Sequence, residues 1–207
     1  MTGIREERKE ATRQAIMAAA IALFSKKGYE GTSMTELARK AGVGKSTIYG
    51  YFPAKGDIFL AFCEDEVAYA FSELQRTHDP DAPLLEQMFA LFMNQFHYVT
   101  RHRDFGRIIA REMIFPKELT HDRVKNLEEG YLAAMAGILR RAISRGELRD
   151  DLEFLFVSGH FYALYIIILS SWYDGRFTTI EEIEAALRKL LTQALQGLSP
   201  RSAAARE

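Results

Sequence analysis

Apolar positions recur with a helical period along almost the whole chain. Ile16, Ala19, Ala20, Leu23 and Phe24 form one stripe, and Gly28 after Lys26-Lys27 is a stop signal. Ser33-Met34-Thr35-Glu36 reads as a capping box that opens a short helix through Leu37, Ala38 and Ala41. Gly42-Val43-Gly44 breaks it, and a second short helix runs from Lys45 to Phe52. Pro53 ends that helix, and a longer apolar-aromatic one covers about 55–77, with Ile58, Phe59, Phe62 and Tyr69. His78-Asp79-Pro80-Asp81-Ala82-Pro83 is the clearest internal turn. Beyond it the pattern predicts helices near 83–101, 104–114, 120–145, 151–173 and 180–197. Asp150 with Glu153, and Thr179 with Glu182, are the expected caps of the last two. No stretch alternates like a strand. The expected fold class is all-α: about three short helices, then a bundle of about six. The expected division is 1–54, 55–199 and a frayed tail at 200–207.

Composition narrows the class. A chain of 207 residues can bury a core without staples, and its single cysteine, Cys63, excludes an internal disulfide framework. The N-terminus is charged and lacks an apolar h-region, which points to a cytoplasmic protein. The net charge of −1 hides an asymmetry. Residues 1–56 hold ten Lys/Arg against five Asp/Glu, whereas the remainder holds 17 against 23. A basic module for a polyanion, joined to a body with another task, accounts for that split.

Two short helices joined by a Gly-containing turn form a helix-turn-helix unit. Ala38 lets the second helix cross closely, Gly42 relieves the turn, and Ile48 plugs the angle between them. Lys45, Ser46, Thr47, Tyr49 and Tyr51 then surround Ile48 and Phe52 with side chains suited to a major groove. Lys55 is a candidate phosphate clamp, as is the helix N-terminus after Ser33.

At this point the chain resembles a known family. Residues 13–62 carry G-Y-E-G-T-S, L-A-R-K-A-G-V and I-Y-G-Y-F-P-A-K in the register of the N-terminal domain of TetR-family transcriptional regulators. The resemblance implies DNA contact by Thr32, Ser33, Met34, Gly44, Lys45, Ser46, Thr47, Tyr49, Gly50, Tyr51 and Lys55. It also implies a ligand-responsive regulator, a repressor by family default. Such a protein binds a pseudo-palindromic operator on double-stranded DNA as a homodimer and is released by a small-molecule effector. Gly50 departs from the pattern, since that position usually carries a larger contacting side chain.

Other signals compete. Gly44-Lys45-Ser46-Thr47 resembles the end of a P-loop, but Arg39 stands where a Gly is needed and a helix precedes it instead of a strand. Residues 154–173 contain no Asp, Glu, Lys or Arg and are long enough to span a bilayer. Acidic flanks without basic anchors favour a buried or dimer helix over a membrane span. Ile183, Leu187, Leu190, Leu191 and Ala194 form a stripe expected at the dimer interface. The five histidines make no metal-binding pair, and no catalytic constellation is visible, so no metal, cofactor or enzymatic activity is expected. Arg103, Arg107 and Arg111 form a row read as a solvated face, with an anion clamp as the alternative. Phe89, Phe92, Met93, Phe96, His97, Met113, Tyr131, Met135, His160 and Tyr162 are the candidate walls of an effector pocket for a largely apolar ligand.

Overall fold

The structure is a computed structural model that describes residues 3–112 and 125–197 in full, with backbone alone at 113–114, 121–124 and 198. The described residues form helices and loops, with no strand among them. The helices are α1 (Gly3–Lys27), α2 (Met34–Ala41), α3 (Lys45–Tyr51), α4 (Lys55–Thr77), α5 (Leu84–Thr100), α6 (Arg103–Ile114), α7 (His121–Ser144), α8 (Phe154–Tyr173) and α9 (Ile180–Leu198). The all-α expectation holds, and most boundaries fall within a residue or two of the sequence pattern. The 200–207 tail lies outside the described residues.

Three details differ. The first helix is not short. It reaches back to Gly3 over a charged segment held by Lys9–Glu6 at 3.5 Å and by a two-pronged Arg13–Asp65 pair at 2.8 and 3.0 Å. Helix α8 starts at Phe154, and its N-cap Glu153 makes no side-chain cap bond. The stretch before it stays a loop, because Gly146 takes φ 73° and Leu148 tucks into the core at 3% exposure.

The third difference concerns organisation. The chain folds as two compact units: residues 1–65 with 99–124, and residues 66–98 with 125–207. These cut across a linear boundary at 54/55. Helix α4 starts at that boundary and contributes its first residues to one unit and the rest to the other, and Phe105 of α6 packs on Phe24 at 6.0 Å and on Phe62 at 4.8 Å. Ile16, Ala20, Leu37, Ile48, Ile58 and Ile109 complete the first unit's core. In the second unit Leu84, Met88, Phe92, Phe96, Met135, Leu139, Phe161, Tyr165, Leu187 and Leu191 are buried together from α5, α7, α8 and α9. The 78–83 turn is held by Ala82 N–H donating to Asp79 O at 2.9 Å and by Gln87 Nε2 donating to the Pro80 and Ala82 carbonyls.

Candidate DNA-reading head and buried polar nest

The reading head is built from its caps inward. Ser33 is extended (φ −102°, ψ 154°), and its Oγ accepts from Glu36 N–H at 3.3 Å. Glu36 accepts from Ser33 N–H at 3.0 Å and from Lys27 Nζ at 2.5 Å. The Lys27 ammonium, then the Ser33 donors, hold the Glu36 carboxyl down at about 2. At the other end Gly42 takes φ 70° and Val43 N–H closes onto Ala38 O at 3.0 Å. That left-handed turn suits glycine and redirects the chain into α3. Ala38, 4% exposed, keeps the crossing close, and Ile48, fully buried, fills the angle.

Around Ile48 the side chains of Lys45, Ser46, Thr47 and Tyr49 are exposed, with Gly44 and Gly50 beside them. Tyr49 is 43% exposed, an unusual placement for a large ring with no packing role. Lys26, Arg39 and Lys40 add exposed positive charge on the same module. A cationic, hydroxyl-bearing face with an aromatic is what phosphate contacts and base edges need. The P-loop likeness ends here, since Gly44-Lys45-Ser46-Thr47 follows helix α2 rather than a strand.

Some residues expected to touch DNA face elsewhere. Thr32 is 2% exposed, and its hydroxyl donates to Gly28 O at 2.9 Å. Met34 is 9% exposed. The Thr32 N–H is also taken, donating to Tyr29 O at 3.3 Å, so neither side chain presents a contacting group. Tyr51 is half-buried. Lys55 Nζ donates to Tyr29 O at 2.9 Å and lies 4.5 Å over the Tyr29 ring, so it braces the module internally.

The second unit holds a different feature. Glu66 of α4 is fully buried, and its Oε1 accepts from Gln95 Nε2 of α5 at 3.3 Å. Glu66 Oε2, Gln95 Oε1, and the hydroxyls of Tyr131 and Tyr165 are buried without a hydrogen-bond partner. Burial pushes the Glu66 carboxyl up to about 8, against a smaller downward pull from Gln95. Burial, then the nearby Glu66 charge, raises the Tyr131 and Tyr165 hydroxyls. Rings form a continuous run past this nest. Phe71 meets Tyr131 at 5.7 Å, Tyr131 meets Tyr162 at 5.9 Å, Tyr162 meets Tyr165 at 6.1 Å, and Tyr165 stacks on Phe92 at 5.4 Å.

Only part of the expected pocket wall lies here. Phe92, Met93, Phe96 and Met135 are buried, and Tyr131 and Tyr162 are half-buried. His97 and His160 are exposed on the outer faces of α5 and α8. Phe89 lies under the Arg188 guanidinium at 4.2 Å, with Arg188 also paired to Glu86 at 2.6 Å, so it belongs to an α5–α9 brace. The side chain of Met113 lies outside the described residues. Glu66, Gln95 and Tyr165 escaped notice, although Glu66 sits on the Phe59-Phe62-Cys63-Ala70-Leu74 stripe, where a carboxylate stands out. Arg103, Arg107 and Arg111 are exposed.

The dimer stripe on α9 also needs correction. Ile183, Leu187 and Leu191 are fully buried within their own subunit, so they have no face left for a partner. Leu190 and Ala194 are half-exposed. The exposed apolar face lies on α8, with Leu155 at 59%, Phe156 at 68% and Ile167 at 49% exposure. By length and composition α8 is also able to cross a membrane, but its other face, including Phe161, Tyr165 and Leu169, packs inside the unit.

A capped two-helix reading head on a larger helical unit defines a DNA-binding transcriptional regulator. Residues 16–62 match the model of bacterial regulatory proteins of the tetR family. Residues 16–62 thus carry the DNA-binding domain of TetR-family transcriptional regulators, and the chain resembles members of that family over most of its length. It is 28% identical over 172 residues to the HTH-type transcriptional repressor BepR of Brucella suis, covering 79% of this chain and 81% of that protein. It is 22% identical over 138 residues to the fatty acid metabolism regulator protein of Bacillus subtilis, covering 67% of this chain and 71% of that protein. Among solved structures, FadR of Thermus thermophilus, a TetR-family repressor in complex with lauroyl-CoA, is similar with a TM-score of 0.67 and 25% identity. That match covers 94% of this chain and 99% of that one.

Proposed function

We propose that the chain is a cytoplasmic, homodimeric repressor that leaves its operator when a small, largely apolar molecule enters the second unit. The observation that carries this reading is α3, where polar and cationic side chains are exposed around a fully buried Ile48. Lys45, Ser46, Thr47 and Tyr49 are the proposed DNA contacts. Ser33 and the first-turn N–H groups of α2 hold phosphate, and Gly44 and Gly50 permit close approach. A dimer presents two such helices to half-sites about one helical turn apart, roughly 34–36 Å. In place of the linear 1–54 and 55–199 division, DNA reading is assigned to the first unit and effector and partner binding to the second.

The second copy is proposed to cover Leu155, Phe156 and Ile167 on α8, which favours a protein interface over lipid for that face. The effector is proposed to occupy the aromatic run of the second unit. The lauroyl-CoA held by the Thermus thermophilus relative supports an amphiphile of that size. Helix α4 has residues in both units and is one covalent route for coupling. A coupling of about 1–3 kcal/mol lowers operator affinity roughly 5- to 150-fold.

Selection from a random duplex library at moderate salt tests the reading. An enriched inverted repeat is the expected result. A folded, dimeric protein that enriches nothing overturns it and favours a protein-interaction module instead.

A further inference from the structure

Buried polar atoms without partners are costly, and a native core retains them for a reason. Four of them converge in the second unit. Glu66 Oε2 and Gln95 Oε1 are unpaired oxygens, and the Tyr131 and Tyr165 hydroxyls are unpaired beside them. Glu66 is fully buried and Gln95 is 1% exposed, so water does not supply the missing partners by simple exposure. The described groups around Glu66 come from three helices: Gln95 from α5, Tyr131 from α7, and Tyr165 with Tyr162 and Tyr173 linked to it from α8. None of these is cationic. Among the described residues, this cluster of one acid, an amide oxygen and several phenol rings holds no positive charge.

We infer that this nest is the polar end of the effector site and that it receives an organic cation, a quaternary or protonated amine carried on an apolar body. The inference rests on the reading that the second unit holds the effector. The geometry suits such a guest in three ways. The acceptor oxygens of Glu66 and Gln95 face it. The ring run Phe71, Tyr131, Tyr162, Tyr165 and Phe92 offers π-faces to a desolvated cation. Gln95 N–H already holds one carboxyl oxygen, while the other and the two tyrosine hydroxyls are buried with no partner.

Ionisation is part of binding. The Glu66 carboxyl titrates near 8, so it is largely neutral at pH 7 in the empty site. A cation stabilises the carboxylate, and the Glu66 proton leaves to solvent. Binding therefore releases about one proton per ligand below that pH, and affinity rises with pH up to it. A neutral or anionic ligand that uses the acid as a donor gives the opposite slope.

A series with one chain length and three heads tests this on the full-length protein. Dodecyltrimethylammonium, dodecanol and lauroyl-CoA, all below their micelle thresholds, are titrated calorimetrically in two buffers of different ionisation heat at pH 7. The ammonium is expected to bind roughly tenfold or more tighter than the alcohol, with proton release. Glu66→Gln is expected to abolish that preference and the proton release while leaving dodecanol binding intact. Tyr165→Phe, which keeps the ring, is expected to weaken the ammonium several-fold and serves if Glu66→Gln fails to fold. Equal or tighter binding of dodecanol or lauroyl-CoA, without proton release, overturns the cation assignment and leaves the effector reading standing. Failure of all three compounds to bind overturns the effector reading as well.

Discussion

At the scale of single residues, two neighbours on α3 have opposite tasks. Ile48 is fully buried between α2 and α3, whereas Tyr49 is 43% exposed. Ile48→Ala is expected to cost about 2–5 kcal/mol, the usual range for truncating a buried aliphatic, read as a lower midpoint of thermal or urea unfolding. Tyr49→Ala and Lys45→Ala are expected to keep helicity and melting temperature while weakening operator binding. Loss of helicity in either exposed variant would overturn their assignment to the DNA face. Glu66 carries a different signature. Its carboxyl titrates near 4.5 in the unfolded chain and near 8 in the folded one. The folded state thus binds more protons across that window, and stability from this group, complete below pH 4.5, is lost as pH rises to 8. Stability of Glu66→Gln relative to wild type is expected to grow by up to about 1.4 kcal/mol per pH unit there. A pH-independent difference in denaturation midpoints would contradict it. The α3 residues were legible because short-range spacing dictates their packing. The Glu66 nest was not, because its four members come from helices far apart in sequence.

At the scale of elements, caps decide where the reading head turns. Ser33 and Glu36 exchange both bonds of a capping box, so Ser33→Ala is expected to cost about 1 kcal/mol, visible in the unfolding midpoint. Gly50 is the contrasting position. It lies inside α3 on its exposed face, and a Cβ added there meets nothing within 4 Å. Gly50→Ala is therefore expected to stabilise the chain by about 0.5–1 kcal/mol through helix propensity alone. A lower affinity for operator in that more stable variant would tie the glycine to close approach on DNA, and an unchanged affinity would remove it from the contact set. Most helices were legible from periodicity because their buried stripes are regular. The start of α1 was not, since charge pairs rather than an apolar stripe extend it to Gly3. The start of α8 was misplaced because Asp150 and Glu153 imitate a cap while Leu148 anchors the preceding loop. Helix α9 shows the limit of periodicity: a clean stripe says that a face is buried, not by whom.

At the scale of the whole molecule, α8 is the element whose surface asks for a partner. Phe156, Gly159, His160, Ala163 and Ile167 share one outward face, and the first and last are large apolar side chains. Gly159 and Ala163 between them let another helix come close. A dimer built on this face places Phe156 and Ile167 away from water twice over, once in each copy, as two-fold symmetry requires. Phe156→Glu then introduces two like charges near the same axis, each stripped of water, which proteins rarely tolerate in an interface core. The side chain is 68% exposed in the single subunit, so the substitution is expected to leave the fold of each copy intact. Sedimentation should show a monomer with wild-type helicity. Operator affinity should fall steeply, because two half-sites are no longer read at once and their binding energies no longer add. The salt dependence separates this from damage to the reading head. Each copy that remains bound still neutralises phosphates, so the negative log–log slope with salt should shrink to roughly half rather than vanish. A Phe156→Glu protein that remains dimeric would overturn the α8 interface and return the half-exposed Leu190 and Ala194 of α9 to consideration. A monomer that binds operator as tightly as wild type would instead show that the regulator does not need a dimer to read its site.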